Sequence, residues 1–168
     1  MSQEQFFRER VIEFVNRSWS VADPAALDTL GELVAPGVRF TIGSRAEVST
    51  LAQFQALVRQ IKVGQPDLDY RMVDMVVQGN LIAYRLIVTG THLGMFAGVY
   101  PPTGRRLTLS AMVQVRLDEQ GCLVEAWQEG DFLGVLAQVG AIPPTGTGPL
   151  GQVLHSARTS WRLARAGR

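Results

Sequence analysis

The sequence holds a single cysteine, Cys122, and only two histidines, His92 and His155. One cysteine cannot form an internal disulfide, and without a Cys or His at ligand spacing it cannot anchor a thiolate zinc site. The two histidines stand far apart, with no H-x-x-x-H or H-x-x-E pattern, so the usual zinc and iron spacings are missing as well. An excess of charge of one sign is also lacking. Sixteen Lys and Arg against fifteen Asp and Glu leave a net charge of +1, and no global field draws in nucleic acid or an anionic membrane.

No apolar run approaches the roughly 20 residues needed to span a bilayer. The amino-terminal stretch carries Glu4, Arg8, Glu9, Arg10 and Glu13, which interrupt the apolar core that a signal peptide requires. The glycine-rich stretches 94–98 and 146–151 lack a following Lys-Ser/Thr and a strand-to-helix setting, so neither reads as a phosphate cradle. These absences predict a cytoplasmic protein working without metal or organic cofactor, and without nucleic-acid or membrane partners.

What remains is a chain of 168 residues that is 46% hydrophobic, enough for one well-buried core. Phe7, Val11, Phe14, Val15 and Trp19 recur at helical spacing with Arg8, Glu9, Glu13 and Arg17 opposite, which predicts an amphipathic first helix. Asp23-Pro24 is a helix-start signal, and Ala26, Leu27, Leu30, Leu33 and Val34 predict a second helix over 24–34, ended by Pro36-Gly37. Val38 to Ile42 alternates as a short strand. Ser49 or Thr50 then caps a third helix bearing Phe54, Leu57, Val58 and Ile61.

From Asp69 the pattern changes to period two, predicting strands over 69–78, 80–92, 105–118 and 122–131. The short turns Gln78-Gly79-Asn80 and Asp118 to Gly121 make these neighbours antiparallel, because a parallel pair needs a long crossover. Helices followed by such a sheet give an α+β fold with a pocket between the layers. The chain divides into a body, 1–142, and a tail, 143–168, that opens with a Pro/Gly linker. Leu150, Val153, Leu154, Ala157, Trp161 and Ala164 predict an amphipathic tail helix. The tail has four Arg and no acid, whereas the body has twelve basic and fifteen acidic residues. That imbalance favours docking of the tail helix on its own body or on a second subunit.

Residues 79–143 carry an ordered series of elements. It includes Gly90-Thr91-His92 with Gly94, Phe96 and Gly98, then Pro102-Thr103-Gly104-Arg105, then Glu125-x-Trp127-x-x-x-Asp131 and Gln138-x-Gly140. Gln65-Pro66-Asp67-Leu68 precedes them. The series resembles the SnoaL-like polyketide cyclase family of the NTF2-like superfamily. The resemblance implies a cone of curved, mostly antiparallel sheet closed by helices around an apolar cavity, and a homodimer or larger homo-oligomer. It further implies a cofactor-independent cyclase or isomerase of secondary metabolism, such as antibiotic biosynthesis, acting on a bulky apolar polyketide-like substrate by acid/base catalysis. Relatives on this fold also open epoxides, form cyclic ethers, or bind ligands or proteins without catalysis.

Period two on strand 122–131 places Glu125, Trp127, Glu129 and Asp131 on one side. Asp131 matches the family's acid/base position, and it also precedes Phe132 to Leu136 as a favoured helix cap. Glu129 is either a second carboxylate of the site or a solvated edge residue. Tyr84 and Arg85 point to opposite faces, so at most one lines the cavity, either Arg85 as a partner that tunes Asp131 or Tyr84 as an oxyanion donor. His92 is a proton shuttle or a buttress of a glycine-rich turn. Trp127, Phe40, Phe96, Gln114 and Met112 are the expected substrate walls. The strand 105–118 lacks the cavity His that assists the Asp in the family's aldol cyclases. Ile87 stands where the epoxide-opening relatives carry a second Asp.

Overall fold

The computed structural model describes residues 2–43, 46–96, 98–143 and 146–166. Helix α1 spans Gln3–Trp19, begins where the Ser2 hydroxyl accepts from the Gln5 amide, and buries Phe7, Val11, Phe14 and Val15 at the predicted spacing. Each such side chain contributes about 1.5–3 kcal/mol on burial.

The segment expected to be a second α-helix is instead a 3-10 helix, Pro24–Glu32, capped by the Asp23 carboxylate on the Ala26 amide. Leu27, Leu30 and Leu33 recur every third residue, and a three-residue turn puts all three into the core where an α-helix would fan them out. Strand β1 then starts earlier than expected and runs Val34–Ile42 through Pro36-Gly37. It does so with an irregularity between Val34 and Arg39, and Gly37 supplies a φ of +78° there. A short β2, Ala46–Val48, pairs back on β1. Helix α2, Leu51–Gly64, is capped by the Thr50 hydroxyl on the Gln53 amide and buries Phe54 and Val58.

Strands β3 (Asp69–Gln78), β4 (Leu81–Thr91), β5 (Arg106–Leu117) and β6 (Leu123–Gly130) follow the predicted spans closely. The sheet order is β2-β1-β6-β5-β4-β3. Every pairing is antiparallel except β1 with β6, which is parallel because the whole intervening chain serves as the connection. In the β5–β6 hairpin the Asp118 carboxylate accepts from the Gln120 and Cys122 amides.

The architecture is therefore α+β, with α1, α2 and the 3-10 helix packed on one face of the sheet. Phe14, Phe40 and Phe54 meet there, Phe40 and Phe54 stacked at 4.3 Å. Helix α3, Phe132–Val139, closes one end over Leu107 and stops at Gly140 in the left-handed conformation. Helix α4, Pro149–Ala166, forms as predicted. The Thr159 hydroxyl donates to the Gly140 carbonyl at 3.2 Å, while Leu150, Val153, Leu154 and Trp161 are exposed. Pro144 and Thr145 of the linker, and Arg168 of the tail, lie outside the described residues. Among the described residues no helix is long and apolar enough to cross a membrane.

Candidate active site

Between the helices and the concave face of the sheet lies a cavity of about 250 Å³. Its helical walls are Trp19 at the end of α1, Phe54, Leu57 and Ile61 of α2, and Phe132 and Val135 of α3. Its sheet walls are Ile42, Val88, Leu107 and Leu109, with Phe96 from the segment after β4. The polar side chains among them are uncharged: Gln60, Gln65, Tyr70, Gln128 and the Trp19 indole. Among the described residues no carboxylate, imidazole, ammonium or guanidinium lines this space.

Tyr70 is fixed from two sides. Its ring stacks on Trp19 at 4.9 Å and 10°, and its hydroxyl lies 3.4 Å from that of Tyr84. Burial pushes the Tyr84 phenol up to about 12 and the Tyr70 phenol well above its usual range. Both therefore stay protonated at neutral pH and act as donors. Tyr84 and Phe40 border a smaller recess that continues from the main cavity, with Trp19, Ile42, Phe54, Tyr70 and Gln128 common to both.

Several expected site residues sit elsewhere. The β5–β6 register pairs Ala111 with Gly130, Val113 with Gln128 and Val115 with Ala126. Ala111, Val113 and Val115 are buried against the helices, so their partners face inward and Trp127, Glu125 and Glu129 face outward. Trp127 borders a shallow outer recess with Arg39, Thr41 and Glu125. Met112 and Gln114 are exposed on that same outer face by strand alternation. Arg85 is there too, bonded to Asp74 at 2.8 and 3.0 Å, and it does not tune Asp131.

Asp131 itself is exposed. Its Oδ1 accepts from the Gly134 amide at 2.8 Å, its Oδ2 accepts from none of the described residues, and the next residue, Phe132, lines the cavity. His92 is fully buried with Nδ1 3.0 Å from the Thr103 hydroxyl and its ring edge-on to Phe96 at 5.9 Å. It does not reach the cavity wall. Phe96 does line the cavity, as expected. Trp19, Gln65, Tyr70 and Gln128 line the cavity although no motif in the sequence marks them as site residues. No group of three His, Cys, Asp or Glu able to hold a metal exists among the described residues.

A helix-backed curved sheet around an apolar cavity defines the NTF2-like class. Within it, this chain belongs to the SnoaL-like polyketide cyclase family, whose model matches residues 9–139. A candidate SnoaL-like polyketide cyclase from Jannaschia sp. CCS1 superposes with a TM-score of 0.76 at 25% identity, covering 85% of this chain and 97% of that one. IdmH, a candidate polyketide cyclase from Streptomyces antibioticus, gives 0.65 at 27% over 80% and 98%. AclR, a candidate hydroxylase from Streptomyces galilaeus, gives 0.70 at 24% and covers 98% of both chains, so its fold likeness reaches into α4. No curated protein matches the chain.

Proposed function

We propose that the protein is a cofactor-independent cyclase or isomerase acting on a bulky, mostly apolar polyketide-like ketone. The observation that carries this reading is the apolar cavity with Tyr70 on its wall, its protonated hydroxyl beside that of Tyr84 in the adjoining recess. A phenol held this way donates to a carbonyl oxygen as it gains charge, which lowers the barrier to enolisation and to carbon–carbon bond formation. In ring closure the enolate carbon attacks a second carbonyl carbon, and the proton removed from carbon ends on the new alkoxide. In isomerisation the same proton returns to a different carbon. The proton carrier we assign is Asp131, which lies outside the cavity wall but directly precedes the lining Phe132, so that its Oδ2 serves the part of a bulky substrate that projects past Phe132.

The test is turnover of an aromatic polyketide ester bearing an uncyclised β-keto side chain, followed by chromatography and mass spectrometry. Purified protein accelerates product formation over buffer, and Asp131→Asn abolishes turnover while binding persists. Binding without acceleration overturns the catalytic reading. That outcome would favour a ligand-binding module, a second reading supported by the uncharged cavity wall.

A further inference from the structure

Of the three carboxamides among the described residues that line the cavity, Gln60 is exposed, whereas Gln65 and Gln128 are withdrawn from solvent and the protein itself does not use their side chains. Gln65 follows α2 and is 7% exposed, and Gln128 lies on β6. Among the described residues neither side chain makes a hydrogen bond to another protein group, although both line the cavity. Gln65 is buried and Gln128 half-buried, and amides withdrawn from water are almost always bonded, because leaving their donors and acceptors empty forfeits the hydration they lost.

The Gln65 side chain has a seat made for it. A Cβ on Gly90 would fall 2.8 Å from its Oε1 and 3.0 Å from its Cβ, so β4 leaves out a side chain where Gln65 lies. Gln128 stands on a different strand, and its partner across the sheet is Val113, which offers no polar group. The two amides thus present separate donor and acceptor positions in a space that is mostly hydrocarbon, its other polar side chains being Tyr70, the Trp19 indole and the exposed Gln60.

We infer that Gln65 and Gln128 determine specificity, selecting an uncharged ring system with hydrogen-bonding oxygens on two separated edges. The inference rests on the cavity being the substrate site, as proposed above. A carboxamide serves hydroxyl and ketone oxygens equally, since it offers two N–H donors and two acceptor lone pairs. A bare hydrocarbon fills the walls and leaves both amides unbonded. A carboxylate or phosphate entering the cavity loses its hydration and meets no cation. Sites that bond a substrate oxygen reject analogues lacking it far better than apolar pockets reject a methylene.

Isothermal calorimetry on the full chain tests this with four probes of one bicyclic frame: tetralin, 1-tetralone, 6-hydroxy-1-tetralone and 6-carboxy-1-tetralone. The hydroxy ketone binds at least about tenfold more tightly than tetralin and than the carboxylate. Gln65→Leu and Gln128→Leu each keep the residue's size, bind tetralin at least as well as the parent, and shrink the preference for the hydroxy ketone to roughly threefold or less. Circular dichroism confirms that both variants fold, and if Gln65→Leu does not, Gln128→Leu alone decides. Equal binding of the four probes, or leucine variants that keep the parent ranking, overturns the inference and leaves the cavity as a binding site. Failure of every probe to bind overturns the cavity reading itself.

Discussion

The Tyr70 and Tyr84 hydroxyls lie 3.4 Å apart, although the β3–β4 register pairs Tyr70 with Val88 and Tyr84 with Met75. Their side chains meet diagonally across the inner face, past the irregularity between Met72 and Asp74. Removing the hydroxyl of this cavity-lining residue, in Tyr70→Phe, lowers kcat by on the order of 100-fold with KM nearly unchanged, as expected for a donor that works mainly in the transition state. Steady-state kinetics with the cyclisation substrate checks it.

The same pair makes stability depend on alkaline pH. In the unfolded chain a tyrosine loses its proton near 10, and in the folded protein burial holds Tyr84 to about 12. Between those values the native state binds more protons than the unfolded state, so stability falls as pH rises. The slope from Tyr84 is up to about 1.4 kcal/mol per pH unit, and Tyr70 adds in the same direction. Below pH 10 this contribution is fully present. Urea unfolding from pH 9 to 12 measures it, and Tyr84→Phe flattens the curve.

Asp131 has two separable duties. Asp131→Ala removes the cap on Gly134 and costs about 1 kcal/mol, whereas Asp131→Asn restores most of that stability. Neither changes the affinity for 6-hydroxy-1-tetralone, because the carboxylate does not line the cavity. Chemical denaturation and calorimetry on the same samples separate capping from proton transfer.

Glycines 90 and 94 are packing positions. A Cβ at Gly94 collides with the Val63 carbonyl, part of the backbone, and one at Gly90 collides with the movable end of Gln65. Both alanine variants lose stability by roughly 1–3 kcal/mol, Gly94→Ala more than Gly90→Ala. Thermal unfolding ranks them.

The Arg85–Asp74 pair, 44% and 68% exposed, serves as a control. Arg85→Ala costs at most about 1 kcal/mol and leaves turnover unchanged. A large loss of activity would return Arg85 to the catalytic machinery.

The α-helices and the four long strands were legible in the sequence because their apolar periods are strong. Which face of β6 turns inward was not. Alternation gives parity but not sign, and the carboxylates flanking Trp127 made the wrong side look chemical. The sign was nevertheless recoverable from β5, where Leu107, Leu109, Ala111, Val113 and Val115 form one apolar face. Residues opposite one another in an antiparallel pair share a face, so the hairpin register carries Ala126, Gln128 and Gly130 inward with it. Tyr70 was harder to place, since its role depends on Trp19 at the far end of α1 and on a strand irregularity that no local pattern announces. The 3-10 segment is indistinguishable from an α-helix in the sequence because its three-residue leucine spacing also fits one side of an α-helix.

His92 sits away from the cavity, yet it governs one of its walls. Its amide donates to the Arg105 carbonyl, its own carbonyl accepts from Thr103 and Gly104, and its ring holds the Thr103 hydroxyl. Beyond it, Leu93 and Gly94 are bonded to the Gly64 carbonyl, and Phe96 and Tyr100 bond each other. The stretch that delivers Phe96 is therefore riveted to α2 at one end and to the start of β5 at the other. Any change that loosens His92 therefore reshapes the cavity through Phe96, although the imidazole itself never meets the ligand.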